Sequence, residues 1–542
     1  MTSPGSLAAV PTPAGRSGAP ASLRPHRSGA RTLAALAEML GLPAPGGADE
    51  VVVDGVTLDS RGVRRGDLYA ALPGASAHGA DFAADAAAAG ASALLTDPGG
   101  ADRATATGVP VLVADDPRAL LGRAAAWVYG EPGEHLLLLG VTGTNGKTTT
   151  TYLLDAALRS LGRTTGLVGT VETRVGDDTV PSVRTTPESP DVHALLAVMR
   201  ERGVTAASME VSSHALALHR VDGLVFDVAG FTNLSQDHLD FHDDLDDYFA
   251  AKASMFTPGR ARQGVVCVDD GWGRRLATSA TVPVTTLATR DDVEADWRTR
   301  RDGVDARGLT RFTLTGPGGL AVSAVSPLPG DFNVANSGLA LVMLATAGLD
   351  VATAARGLET APGVPGRMER ISAPGDDGFS DGPLAVVDYA HSPDAVTAAL
   401  AALRPATPGR LVVVLGAGGD RDPGKREAMG VAAATGADLV VVTDDNPRSE
   451  QPQTIRAAVL TGARSVAGAG LARVDVVEVA DRAEAVLAAV RAAPVPGDTV
   501  LVAGRGHEQG QEVAGGVHPF DDRDVLREAL ATVARERAEV GL

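Results

Sequence analysis

The run G-V-T-G-T-N-G-K-T-T-T at 140–150 has the residue types that hold a phosphate group. Gly143 and Gly146 let backbone N–H groups approach an anion, and a helix starting just after them adds the favourable end of its dipole. Lys147 supplies a compact positive charge, and the Thr148 hydroxyl suits a magnesium ion. Thr144, Asn145 and Thr149 complete a polar rim. The spacing departs from the general G-x-x-x-x-G-K-[ST], because the two glycines before the lysine stand only three apart. A strand-like run at 136–139 precedes the loop and a helix-like run at 152–161 follows it. Strand, glycine loop, lysine and helix together point to nucleotide binding.

Lysine is scarce here: of 48 basic residues only Lys147, Lys252 and Lys425 are lysine, the rest arginine. Each of the three therefore calls for a reason. The 542 residues are 44% apolar and 21% charged, enough to build folded cores and, at ordinary domain size, several domains. No apolar run approaches the roughly 20 residues a membrane helix needs, so no membrane insertion is expected. The single cysteine, Cys267, cannot form an intrachain disulfide, which favours a reducing cytoplasm. A net charge of -19 and 3% aromatic residues argue against a nucleic-acid partner.

The elements that must position this chemistry divide into an expected flexible tail at 1–31 and three modules, 32–134, 135–363 and 364–542. In the second and third, short apolar runs alternate with helical stretches, the pattern of parallel sheets with crossover helices, hence an α/β fold. Strands are expected near 165–171, 206–211, 226–232 and 264–268, then at 385–388, 411–415, 439–443 and 499–503. The section 270–330 reads as an antiparallel excursion, with a helix at 335–345. In the first module strands are expected at 51–53, 93–96 and 109–113.

Ten short motifs follow one another in order. They are D-S-R at 59–61, T-T-P at 185–187, M-E-V-S-S-H-A-L at 209–216, N-L-S-Q-D-H-L-D-F-H at 233–242 and A-K-A-S-M-F at 251–256. P-G-R-M-E at 365–369, D-Y-A-H at 388–391, G-D-R-D at 419–422, D-N-P-R at 445–448 and G-R-G-H-E at 504–508 complete the series. With the loop at 140–150, this order resembles the Mur ligases, and within them the tripeptide-forming branch. The resemblance implies three domains: one for a UDP-sugar, a central P-loop ATPase-like domain, and a C-terminal Rossmann-like domain for the incoming amino acid. It implies ATP-dependent ligation of meso-diaminopimelate to UDP-MurNAc-L-Ala-D-Glu through an acyl phosphate, with ATP and Mg2+ required.

Under that resemblance Glu210 and Thr148 hold magnesium, and His238 joins a second metal site. Lys252 matches a lysine that carries a carbamate, an anionic ligand that arginine cannot form because its guanidinium does not deprotonate. Read alone, Lys252 is an exposed helix lysine laid beside Tyr248 and Phe256. Asn336, Arg367, Asp388 and His391 match positions around the nucleotide; read alone, Asn336 would be a helix N-cap and Arg367 an interdomain ion-pair residue. Ser60, Thr185, Thr186, Ser212 and Arg220 match UDP-sugar contacts, although Leu218 stands where related enzymes often have a glutamine.

Three motifs of the last module follow expected strands, and loops at the carboxyl ends of parallel strands are where such sheets gather ligands. Arg421, Asp445, Asn446, Pro447, Arg448, Gly504 and Glu508 are thereby drawn to one crevice. Arginine suits a carboxylate and Glu508 an ammonium, the head group that diaminopimelate has and lysine lacks in full. Ligation of lysine or of a dipeptide, and a P-loop switch that only hydrolyses ATP, remain as alternatives. Lys425, just past Arg421, has no assigned role.

Overall fold

The computed structural model describes residues 23–26, 29, 31–74, 76–182, 184–305, 309–373, 382–468 and 473–540. Most of the expected tail, 1–22, lies outside the described residues. Residues 23–26 are anchored. Arg24 pairs with Asp67 at 3.2 Å, and the His26 N–H donates to Glu201 Oε2 at 2.9 Å.

Among the described residues, three sheets of four or more strands organise the chain. The first is four-stranded and wholly parallel, in the order Gly55–Thr57, Asp67–Ala71, Ala93–Thr96, Val111–Val113. The second has 11 strands. Its parallel heart runs Thr165–Val168, Ala206–Glu210, Leu137–Thr142, Phe226–Phe231, Ala261–Cys267, Val284–Ala288. The central strands, Thr165–Val168, Ala206–Glu210, Leu137–Thr142 and Phe226–Phe231, are buried on both faces, which is why they read as apolar runs rather than as alternating ones. An antiparallel hairpin closes one edge, and the other edge folds back through Trp297–Val304, Thr310–Thr315 and Ala321–Ser326. The expected antiparallel excursion is therefore present.

The third sheet is six-stranded, with five parallel strands in the order Leu384–Asp388, Thr499–Ala503, Leu411–Leu415, Leu439–Val442, Asp475–Glu478. Strand Asp475–Glu478 was not expected; its outer position leaves it mostly exposed, so D-V-V-E lacks the apolar signature of its neighbours. The first and second units meet along helices Pro117–Val128 and Ser189–Glu201, and Ala194 and Ala197 of the latter join the core of the first unit.

Candidate active site

Strand Leu137–Thr142 delivers the phosphate loop and helix Lys147–Ser160 receives it, as the spacing implied. Both loop glycines have backbone angles that suit no other residue, φ 144° at Gly143 and 90° at Gly146. Space also forbids a side chain: a Cβ on Gly143 would lie 1.9 Å from Thr232 Oγ1, and one on Gly146 2.3 Å from Asn336 Oδ1. Asn336 is thus the wall behind the loop. It lies inside helix Asp331–Thr346, where its amide donates to Asn333 Oδ1 at 3.1 Å, so the N-cap reading is corrected. The Asn145 N–H donates to Asn233 Oδ1 at 3.0 Å, and the Thr144 hydroxyl lies 3.2 Å from that of Tyr248.

Lys147 folds back on the loop, donating to the carbonyls of Gly143 (3.0 Å) and Thr144 (2.9 Å). Lys252 approaches from helix Leu245–Ala253 and donates to the same Gly143 carbonyl at 2.8 Å. The lone-residue reading of Lys252 as an exposed lysine is corrected, since it is 1% exposed. Its Nζ sits 4.3 Å from the centre of the Tyr248 ring. Burial, then the charge of Lys147, pushes the Lys252 amine well below the usual lysine range. Burial lowers Lys147 as well, with Glu210 and Asp237 opposing.

Glu210 ends strand Ala206–Glu210 and is 1% exposed. Its Oε1 accepts the Thr170 N–H at 2.7 Å; its Oε2 accepts the hydroxyls of Thr148 (2.9 Å) and Thr170 (3.1 Å). All three of these bonds to the enclosed side chain come from donors, so both of its oxygens are satisfied. Arg367 crosses from the third unit and donates to Thr148 Oγ1 at 3.3 Å, so it reaches the phosphate loop itself. Thr186 donates to the Glu210 carbonyl at 2.9 Å, the Thr185 hydroxyl lies 3.0 Å from that of Thr170, and Ser212 caps helix Ser213–Ala217. Arg220 pairs with Glu188 at 2.9 Å.

His238 is held at φ 56°, a strained setting for a non-glycine residue. Burial takes its ring down to about 3, so it is neutral near pH 7. His391 reaches the same place from the third unit, its Nε2 lying 3.7 Å from Asp237 Oδ2. Asp388 ends its strand, as expected of it, but its two oxygens already accept the N–H groups of Met368 (2.7 Å) and Ala390 (2.9 Å). Its foremost work is to fix the turn that carries Tyr389 and His391.

One cavity of about 830 Å³ gathers the loop residues 144–149 with Thr185, Thr186, Glu210, Ser212, Arg220, His238, Asn336, Arg367, Asp388 and His391. Ser60 and the amino-acid residues do not line it. Ser60 lies near the Tyr69 hydroxyl in the first unit, which itself donates to the Gly79 carbonyl at 2.9 Å. Arg448, at φ 52°, donates to the Gly419 carbonyl at 2.5 Å, and Asn446 accepts the Glu512 N–H at 2.7 Å. Gly504 lies against Asp445, whose Oδ2 is buried and accepts no hydrogen bond. Glu508 is raised by burial and then by Asp445, with Arg505, His391 and Arg448 opposing. The loops at 418–421, 445–448 and 504–508 thus form a second cluster of mixed charge. Arg421 is more than half exposed and turns toward Asp240 at 3.6 Å.

Sequence reading missed Thr170, Asp237, Tyr389 and His507. Tyr389 lies beneath Arg367 at 4.2 Å, and His507 is 3.4 Å from the Arg367 guanidinium. Asp237 had a signal, its place beside His238, but D-H in an acidic run also describes a solvated turn. Thr170 had none.

The chain matches three family models: "Mur ligase family, catalytic domain" over 52–129, "Mur ligase middle domain" over 141–344, and "Mur ligase, glutamate ligase domain" over 366–506. It is 58% identical over 508 residues to the UDP-N-acetylmuramoyl-L-alanyl-D-glutamate--2,6-diaminopimelate ligase of Streptomyces coelicolor, covering 94% of this chain and 98% of the relative. It is 50% identical over 517 residues to a UDP-N-acetylmuramyl-tripeptide synthetase of Leifsonia xyli, covering 94% and 98%. Among solved structures, a UDP-N-acetylmuramoyl-L-alanyl-D-glutamate--2,6-diaminopimelate ligase superposes with a TM-score of 0.64 at 31% identity, covering 93% of this chain and 99% of that one.

Proposed function

Since the chain belongs to the Mur ligase family, we propose that it joins 2,6-diaminopimelate to UDP-MurNAc-L-Ala-D-Glu at the expense of ATP, in the synthesis of peptidoglycan precursors. The similarity to the diaminopimelate ligases, at 58% identity across nearly the whole chain, carries this reading. The reaction passes the γ-phosphoryl group of ATP to the terminal glutamate carboxylate; the amine of diaminopimelate then attacks the acyl phosphate and phosphate leaves. We assign the nucleotide-sugar to 32–134, ATP to 135–363 and the amino acid to 364–542, with the reaction in the compartment where ATP is made, the cytoplasm.

Two anions must meet, so their charges must be offset. Lys147 and Arg367 supply fixed positive charge at the phosphate loop, Lys147 on the loop's own carbonyls and Arg367 on Thr148. The oxygen donors Thr148 and Glu210, buried side by side, fit a hard divalent cation such as Mg2+. When bound, that ion would screen the phosphate oxygens. Lys252 and His238 are the candidates for a second such position. The Lys252 amine, which burial pushes towards its neutral form, would add CO2 to form a carbamate and release one proton. The carbamate N–H retains a hydrogen for the Gly143 carbonyl.

At the acceptor end, Arg448 and Asn446 would bind the distal carboxylate of diaminopimelate, while Glu508 and Asp445, whose Oδ2 accepts no hydrogen bond and has the Arg482 guanidinium 3.7 Å away, would take its ammonium. Phosphate release from ATP and the UDP-dipeptide, measured with a panel of acceptors, tests the assignment. Release should depend on diaminopimelate; release with no acceptor would favour an ATPase switch, and release with lysine a different ligase.

A further inference from the structure

Lys425 is the lysine that phosphate chemistry leaves unused. We propose that it is a positioning residue, latching the third unit onto the catalytic centre through Asp237; the proposal rests on the ligase reading above. Lys425 opens helix Lys425–Gly436, where the positive end of the helix dipole disfavours a cation. Its side chain is only 10% exposed, so an unpaired ammonium there would be costly. The partner comes from the other side of the domain boundary: Nζ lies 3.5 Å from Asp237 Oδ1, and the Asp237 side chain is equally enclosed.

Asp237 is a hub. It accepts the His238 N–H on Oδ1 at 3.0 Å, and the Nε2 atoms of His238 and His391 each lie 3.7 Å from Oδ2. Its charge also acts on Lys147 and on Lys252. One carboxylate therefore pairs with Lys425 and adds its negative charge to the surroundings of the other two lysines. Two of its partners, Lys425 and His391, belong to the third unit and are lost if that unit swings away. Separation would leave Lys425 at the unfavourable end of its helix dipole without that counter-charge. Contact relieves that cost.

Two more cross-boundary contacts, Gln236 to Asp422 at 3.4 Å and Arg421 to Asp240 at 3.6 Å, flank the pair but are exposed and so weaker. The consequence reaches the chemistry through His238. The strained turn at His238 is held partly by Asp237, so whatever fixes Asp237 also fixes the imidazole. Docking of the acceptor-binding unit is in this way linked to the geometry of the ATP site.

A double-mutant cycle tests the latch, using Lys425→Met, Asp237→Asn and the double variant. Turnover and the KM of each substrate are measured for tripeptide formation. Small-angle scattering follows the radius of gyration with a non-hydrolysable ATP analogue and the UDP-dipeptide. Lys425→Met should lower kcat about tenfold or more, keep the KM for ATP within about threefold, and leave the particle more expanded than the wild type. Lys425→Arg should regain most of the loss. In the Asp237→Asn background, Lys425→Met should cost less than about threefold more. A wild type that forms no tripeptide fails the ligase reading. An active wild type in which the two substitutions act independently, or in which Lys425→Met leaves compaction unchanged, overturns the latch. If Asp237→Asn is too slow to assay, the scattering cycle decides by the same criterion, with melting temperatures confirming that each variant is folded.

Discussion

Lys252 and Lys147 donate to one carbonyl, that of Gly143, Lys252 from full burial and Lys147 from the half-buried wall of the cavity. Two ammonium ions so placed repel each other, and the pair is relieved if one is neutral. Neutrality is what CO2 addition requires, and arginine cannot provide it. Lys252→Arg should therefore lose most ligase activity with a melting temperature close to that of the wild type, and Lys252→Ala should be partly rescued by short carboxylic acids. Near-normal turnover of the arginine variant would sink the carbamate. At the acceptor end, Arg448→Ala removes a charge-assisted contact, so the KM for diaminopimelate should rise about 10- to 100-fold, far more than that for ATP. Residues with a distinctive type were legible in the sequence, lysines above all. Asp237 and Thr170 were not, because an acid or a threonine in a loop acquires its role only from groups remote in the chain. Thr170, for instance, bonds a carboxylate 40 residues away.

The phosphate loop shows how much an element can disclose by itself. Strand, glycines, lysine and helix could be read off in order, and the folded loop adds only the reason for each glycine. Gly146→Ala would place a Cβ 2.3 Å from Asn336 Oδ1 at φ 90°, so the loop must shift; kcat/KM for ATP should fall about 100-fold or more, with a smaller change in the KM for diaminopimelate. Equilibrium nucleotide binding by the variant would locate the loss. The buried parallel strands were legible for the same reason, since burial on both faces writes continuous apolar runs such as L-V-V-V-L at 411–415. Edge pieces escaped: strand Asp475–Glu478 and the hairpin Gly510–Val513 with Gly516–Pro519 are largely solvent-facing, and their pattern is that of loops.

The units are joined by seams whose residues no motif marks. His193, on helix Ser189–Glu201, donates from Nε2 to the Asp222 carbonyl at 3.0 Å, beside the close approach of Gly122 to Asp222. It is 1% exposed, its Nδ1 has no partner, and burial takes it from 6.5 to about 4. The unfolded chain thus binds a proton below pH 6.5 that the folded chain refuses until about pH 4. Its contribution to stability is complete above 6.5, and acidification removes up to about 3 kcal/mol by pH 4. His193→Gln keeps a donor for Asp222 and should flatten the melting-temperature profile between pH 6.5 and 4; an unchanged slope would place the acid sensitivity elsewhere. Domain contacts of this kind, like the Lys425–Asp237 pair, depend on how units sit together and leave little trace in local pattern. The whole molecule's purpose is tested most directly by mass spectrometry of the product formed from ATP, the UDP-dipeptide, and equal diaminopimelate and lysine. A single new species heavier than the dipeptide by one diaminopimelate residue is expected; the lysine adduct as the main product, or ADP without any adduct, would refute diaminopimelate ligation.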